Sequence, residues 1–314
     1  MTVTDSAPAG PPVVAVIGPT ATGKSDLAVA LARRMDAEIV NADSMQLYEG
    51  MDIGSAKLVE DQRGGIRHHL LDVWPLDKSA AVAEYQTLAR AAIDDIRDRG
   101  KVAVLVGGSG LYIRGALDRL DFPGESPPVR ARLTAELESV GAATLHRRLA
   151  ALDPAAAAAI LPSNGRRIVR ALEVIEITGK PFVAAMPAFE SIYPTVQLAL
   201  DRPDLDDRVR LRVPRMMEQG LLDEVRRLLP LGLRDSPTAS KALGYQQLLA
   251  VLDDDGAVRG DLDEALESTI RGTLRFVRRQ RSWFRRDPRL HWLDSSTPDL
   301  IDTAVTVLPP MLVR

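Results

Sequence analysis

The chain has 314 residues, 46% of them hydrophobic and 26% charged, and its 40 Lys and Arg nearly balance 43 Asp and Glu for a formal net charge of −3. That composition supplies a large core and excludes a disordered chain, which needs low hydrophobicity together with high net charge. The absence of cysteine excludes disulfides, thiolate metal sites and cysteine nucleophiles, and no run of about 18 apolar residues is present to span a membrane.

The opening MTVTDSAPAGPP lacks a basic region and an apolar run, so it reads as a frayed tail rather than a signal peptide; the cytoplasm is the expected compartment. VVAVI (13–17) is a short apolar run that enters GPTATGKS (18–25), after which Leu27, Ala30 and Leu31 keep helical spacing. EIVN (38–41) reads as a second strand and HHLLDV (68–73) as a third. Residues 80–99 form an alanine-rich helix that stops at Gly100. KVAVLV (101–106) is a further buried strand, and GGSGLY (107–112) is a second glycine-rich strand-to-helix turn, equally consistent with a tight turn that binds nothing. Nearly all-apolar strands alternating with helices predict an α/β protein whose parallel sheet is covered on both faces.

The pattern changes near Leu120. DFPGESPPVR (121–130) is a proline-rich connection, 129–161 reads as helix only, and 166–178 is an amphipathic helix. Strand character returns at TVQLALD (195–201). Residues 120–195 are therefore expected as a helical insertion domain in an α/β core built from 1–119 and 196–314. Helices are expected over 205–219, 221–229, 241–252 and 262–286, with HWL (291–293) as an edge strand. His68 and His69 are adjacent, so in a strand they point to opposite faces; they read as structural and not as a metal pair. Charge is segregated. RGTLRFVRRQRSWFRRDPR (271–289) contains one acid, Asp287, and follows a mainly acidic stretch. This helix is either a polyanion-binding surface or a solvated face.

Gly18, Pro19, Thr20, Ala21, Thr22, Gly23, Lys24 and Ser25 match G-x-x-x-x-G-K-[ST], in the strand-loop-helix context the pattern requires. Such a loop turns successive backbone N–H groups onto one anion, and the helix N-terminus adds partial positive charge. Lys24 adds a full charge, and the Ser25 hydroxyl can ligate Mg²⁺. The loop is therefore expected to bind a di- or triphosphate group. KVAVLV ends in Gly107 and Gly108 rather than in a metal-holding acid. The acid that can face the loop is Asp43, at the carboxyl end of its strand, where open α/β sheets place ligands; it also reads as a helix-capping or turn aspartate.

Several segments together are similar to the tRNA dimethylallyltransferase family, also called tRNA isopentenyltransferases: GPTATGKS (18–25), NADSMQLYEGMDIGSAK (41–57), VGGSGLYIRGAL (106–117), NGRRIVRALEVIEITGKP (164–181), KALGYQQL (241–248) and RFVRRQRSWFRR (275–286). They span nearly the whole chain in the family's order. The resemblance implies a P-loop NTPase-like core that transfers a dimethylallyl group from dimethylallyl diphosphate to N6 of the adenosine just 3′ of the tRNA anticodon. By this resemblance residues 18–25 hold the diphosphate leaving group, Ser25 contributes to a Mg²⁺ site, and Asp43 is the general base. Thr20 lies beside the reacting centre and Arg212 contacts diphosphate, although spacing alone also allows Arg212 to be a surface helix residue. The implied tRNA contacts are Asp43, Ser44, Met45 and Gln46 at the extruded base, with Arg166, Arg167, Arg170, Lys241, Gly244, Tyr245 and Gln246 along the RNA. Trp283 and Phe284 either stack on bases or pack in the core, and helical spacing favours the core. The partners implied are the anticodon stem-loop and the prenyl diphosphate, with no membrane, acting on a monomer. A small-molecule kinase that holds ATP in the same loop and a non-enzymatic RNA-binding protein are the competing readings.

Overall fold

The computed structural model describes residues 10–182 and 188–313. The first nine residues of the expected tail lie outside them. The chain divides into two compact units, Met1–Asp118 with Ser191–Arg314, and Arg119–Glu190.

The first unit starts with β1 (Val13–Ile17), whose five side chains are all buried. Alternate residues feed opposite faces: Val13, Ala15 and Ile17 enter one apolar cluster, Val14 and Val16 another. This two-sided burial is why the run is apolar throughout instead of alternating. The elements that follow are α1 (Lys24–Met35), β2 (Ala37–Asn41), β3 (His68–His69), α2 (Val82–Asp98), β4 (Val102–Gly107) and α3 (Gly110–Leu117). The expected third strand shrinks to two residues, because the backbone turns away at Leu70 and Asp72, both at positive φ.

The second unit holds α4 (Pro127–Val140), α5 (Ala142–Leu152), α6 (Pro154–Ala159) and α7 (Gly165–Thr178). The stretch read as helix only is three helices, broken at Gly141 and at Asp153, whose carboxylate accepts the Ala156 N–H and restarts the chain as α6. Leu133, Leu145, Leu149, Ile168 and Leu172 form a separate core. The unit ends at Glu190 rather than at 195. Ser191 bridges to Asp118, and the Pro194 carbonyl accepts the Val13 N–H, so residues 191–194 are bonded to the sheet unit.

The chain returns as β5 (Thr195–Asp201), α8 (Leu205–Glu218), α9 (Leu221–Leu228), α10 (Tyr245–Val251), α11 (Leu262–Phe284), β6 (Leu290–Asp294) and α12 (Leu300–Val307). The sheet order is β3-β2-β4-β1-β5-β6 and every pairing is parallel. Residues 291–293 do form part of an edge strand. The helix expected over 241–252 begins only at Tyr245, because Gly244 sits at φ +90 and Lys241 belongs to a preceding short 3₁₀ turn. One seam positions the site. Leu205, Val209 and Val213 of α8 pack on Ile270, Leu274 and Val277 of α11. Each such buried side chain contributes roughly 1.5–3 kcal/mol, so the seam holds the two helices firmly together.

Candidate active site

Register brings the site together. Ile17 pairs with Gly107 and Asn41 with Val106, so β1, β2 and β4 end side by side. Their carboxyl ends release the phosphate loop, the Asp43 turn and the Gly107–Gly110 turn into one region, as expected where parallel strands present ligand sites. A cavity of about 940 Å³ opens there, lined by Thr20, Lys24, Ser25, Asp43 and Arg212 among others.

The loop is pinned from within and from outside. Gly23, at φ +86, makes the entry into α1. The Thr22 hydroxyl donates to the Pro19 carbonyl (2.9 Å), and Lys24 Nζ donates to that same carbonyl (2.6 Å). Two arginines of α8 reach in: Arg212 donates to Thr20 Oγ1 (2.9 Å) and Arg208 to the Ala21 carbonyl (2.9 Å). From α11, Gln280 Oε1 accepts the Thr20 N–H at 3.1 Å.

Asp43 is held by a local turn. Its N–H donates to Asn41 Oδ1 (2.9 Å), and its Oδ1 accepts the Met45 N–H (3.0 Å). The capping reading of this residue is therefore part of the truth: the carboxylate organises its own turn while facing the cavity. Burial pushes its pKa up; the Met45 N–H and the charges of Lys24 and Arg212 oppose the rise. Burial pushes Lys24 down to about 8, Asp43 opposes this, and Arg212 adds to it. Burial likewise pulls the Arg212 guanidinium below its ordinary value, from so high a start that it keeps its charge. One acid and two cations in a sheltered cleft form an arrangement typical of a functional site.

The remaining predicted residues are distributed less evenly. Ser44 meets the second glycine turn, its N–H 3.4 Å from Ser109 Oγ, and Met45 is half-buried against the main core. Gln46 lines the cavity and donates to the Ser55 carbonyl (3.1 Å). Lys241 and Gln246 are exposed and Gly244 is buried. Tyr245 requires a correction. Its side chain is fully buried and its hydroxyl donates to Glu224 Oε1 (2.5 Å), so it is a core group and not an RNA-reading side chain. In the second unit Arg166 and Arg167 are exposed, whereas Arg170 is turned onto the Pro123 and Gly124 carbonyls and Glu173. Phe284 is in the core; Trp283 is half-buried and packs directly over Gly110. His69 Nε2 donates to Glu38 Oε2 at 2.8 Å and His68 Nδ1 meets the Ile66 carbonyl at 2.8 Å. Among the described residues no group of three His, Cys, Asp or Glu could enclose a metal ion.

Three residues of this region are assigned no role from the sequence: Gln280, which lies in the matching segment 275–286, and Arg208 and Glu224, which lie in none. Glu224, 1% exposed, accepts the N–H groups of Asp52, Ile53 and Gly54 and so shapes another wall of the cavity. Each acts on a partner far away in the chain, where spacing is silent.

Residues 46–287 match the family described as IPP transferase. The chain belongs to the IPP transferase family. It is 60% identical over 311 residues to the tRNA dimethylallyltransferase of Streptomyces avermitilis, covering 98% of each chain. It is 61% identical over 303 residues to that of Thermobifida fusca, covering 94% of each. Among solved structures it is similar to the full-length tRNA isopentenylpyrophosphate transferase of Bacillus halodurans, with a TM-score of 0.66 at 36% identity, covering 94% of this chain and 96% of that one. A eukaryotic dimethylallyltransferase acting on tRNA shares the fold at TM-score 0.78 and 24% identity. The family match begins at residue 46, so the assignment does not lean on the phosphate loop, and the loop's geometry is an independent observation.

Proposed function

We propose that this IPP transferase moves a dimethylallyl group from dimethylallyl diphosphate to N6 of the adenosine 3′-adjacent to the tRNA anticodon. One observation carries the reading: Thr20, Lys24, Asp43 and Arg212, from three separate parts of the chain, line one cavity at the end of the sheet. Relatives about 60% identical over nearly their full length are named tRNA dimethylallyltransferases, which supports the transfer of this group to tRNA.

In this reading the allylic C1–O bond breaks and its electron pair leaves with diphosphate, while C1 bonds to N6. The loop amides, Lys24 and Arg212 meet the charge as it develops, which is where fixed donors act most strongly. The Thr20 hydroxyl, whose oxygen already accepts from Arg212, keeps its own proton for the bridging oxygen. The N6 proton passes to Asp43. Reaching the cavity requires the adenine to leave its stack, which costs little in a single-stranded loop.

The chemistry of the donor set suits Mg²⁺ held mostly by diphosphate. Ser25 lines the cavity and carries a hydroxyl, and Mg²⁺ commonly takes one or two protein oxygens beside phosphate and water. When bound, the ion would neutralise leaving-group charge. Arg166, Arg167, Lys241 and Gln246, all exposed, together with the exposed Arg275, Arg278 and Arg279 of α11, are suited to hold RNA phosphates. In this reading the enzyme works as a monomer in the cytoplasm.

The test is to incubate the protein with unmodified tRNA, Mg²⁺ and dimethylallyl diphosphate and to digest the product for mass spectrometry. The expected product is N6-prenylated adenosine, abolished by Asp43→Ala. Calorimetry separates the competing reading: tighter binding of ATP than of dimethylallyl diphosphate, with phosphoryl transfer and no prenylated tRNA, would establish a kinase instead.

A further inference from the structure

Gln280 lies on α11, 6% exposed, in a segment otherwise dominated by arginine. Its amide has partners on both sides. Oε1 accepts the Thr20 N–H at 3.1 Å and Nε2 donates to the Gly108 carbonyl at 2.9 Å. An N–H on one side and a carbonyl on the other allow only one orientation of the amide. A Cβ on Gly108 would come within 2.5 Å of Nε2, so the second glycine turn makes room for this side chain. One neutral amide thus ties the long C-terminal helix to both glycine turns.

Thr20 is gripped twice, by two helices. Gln280 of α11 holds its backbone, and Arg212 of α8 donates to its hydroxyl oxygen. Those helices are locked together by the Val209, Val213, Leu274 and Val277 seam. Because the Thr20 N–H is committed to Gln280, it does not point at the anion; diphosphate is left to the other loop amides, Lys24 and Arg212. Losing Gln280 therefore removes no diphosphate ligand. It frees the backbone of the one residue whose hydroxyl must face the leaving group.

We infer that Gln280 is a positioning residue for the transfer step: it acts through Thr20, fixing the loop geometry in which the Thr20 hydroxyl meets the departing oxygen. The inference rests on the prenyl-transfer reading above. Gln280→Met keeps the volume and removes both hydrogen bonds. Because a misplacement of about 1 Å can cost 10²-fold, kcat is expected to fall roughly 10- to 100-fold, while KM for dimethylallyl diphosphate stays within about 3-fold. Gln280→Glu adds a readout that simple loss of packing would not move. A buried carboxylate facing the Gly108 carbonyl should have a raised pKa. Protonated, it donates to Gly108 and accepts from Thr20, as the amide does; ionised, it repels Gly108.

The experiment is steady-state prenylation of unmodified tRNA by wild type, Gln280→Met and Gln280→Glu, each at about pH 6 and about pH 8.5, bracketing the range into which burial moves a carboxyl. The expected result is a kcat loss without a KM rise in Gln280→Met, and a ratio of Gln280→Glu to wild-type kcat that recovers several-fold at the lower pH. Unchanged kcat in Gln280→Met, a rise in KM alone, or a pH-flat ratio for Gln280→Glu each overturns the inference while wild type prenylates. Should Gln280→Met fail to fold, the pH ratio of Gln280→Glu decides. A wild type that binds tRNA but transfers no prenyl group overturns the reaction assignment itself, and with it the role of Gln280.

Discussion

The two glycine-rich turns of the sheet look alike in sequence and do different work. Both follow a buried parallel strand and open a helix: Gly18–Ser25 after β1, Gly107–Gly110 after β4. In the first, Gly23 has open space, since a methyl on its Cα would find no atom nearer than Asp26 Oδ2 at 4.0 Å, and it is needed for its φ of +86. In the second, a methyl on Gly107 would run into the Ala42 backbone, one on Gly108 into Gln280 and one on Gly110 into Trp283. The first turn uses glycine for backbone direction toward a cavity; the second, whose Gly107 also lines that cavity, uses it for close packing against Ala42, Gln280 and Trp283. Even the first is mixed, since a methyl on Gly18 would strike the Leu200 carbonyl. A count of glycines does not distinguish the two turns, whereas the neighbouring Lys24 and the open volume at the first do.

The comparison can be broken at its strongest point first. Changes on the cavity side should cost chemistry and leave the fold. Asp43→Ala is expected to lower single-turnover prenylation by about 10³-fold, within the range for a lost general base, with a circular-dichroism melt close to wild type. A variant retaining full rate would remove Asp43 from the reaction. Arg212→Gln should lower kcat about 10²-fold, the scale for one lost donor to developing charge. If only KM rises, Arg212 binds substrate without favouring the transition state.

Changes on the packing side should do the reverse. Gly110→Ala, whose methyl would meet the Trp283 ring, is expected to destabilise by about 1–3 kcal/mol through overpacking, seen as a lower midpoint in urea, with per-molecule activity retained where the protein is folded. Gly23→Ala, which meets strain but no clash, should cost about 1–2 kcal/mol and should also weaken diphosphate binding. Equal activity losses from both substitutions would erase the distinction.

The pH response sharpens the electrostatic side. Lys24 is pushed down to about 8, so its charge is lost as pH rises through that value. KM for dimethylallyl diphosphate should then climb several-fold above about pH 8, and Lys24→Arg, which stays ionised, should give a flatter profile. For stability the sign follows from the same shift. The cost of burying the charge is full below about 8 and is relieved as pH climbs toward the ordinary 10.5. The raised pKa of Asp43 places the fall of kcat on the acid side, where the base becomes protonated. The smallest effect belongs to the exposed arginines. Arg166→Ala or Arg167→Ala should weaken tRNA binding a few-fold and reduce the salt slope by about one each; identical slopes would take these residues off the RNA surface.

Much of this site was legible from spacing alone. The phosphate loop, the strand before it and the helix after it are local patterns, and Asp43 lies two residues beyond a recognisable strand. Arg212 was legible only through family resemblance, since its helix contains six charged residues besides it and periodicity does not say which one turns inward. Tyr245 was misread for the complementary reason. It lies in a matching segment, yet its ring fills the core and its hydroxyl meets Glu224, 21 residues away. The end of the helical unit was displaced from 195 to 190 because hydrogen bonds to Asp118 and Val13, remote in sequence, draw residues 191–194 to the sheet.

Local order along the chain determined the strands, the α/β class, the glycine-rich loop between β1 and α1 and the position of Asp43 just past β2, because each depends on backbone preferences and burial periods that repeat over a few residues. Only the tertiary structure decided that Arg212 and Gln280 converge on Thr20, across 192 and 260 residues of sequence. That convergence depends on register between strands and on the packing of α8 against α11, and neither leaves a periodic trace in the residues it joins.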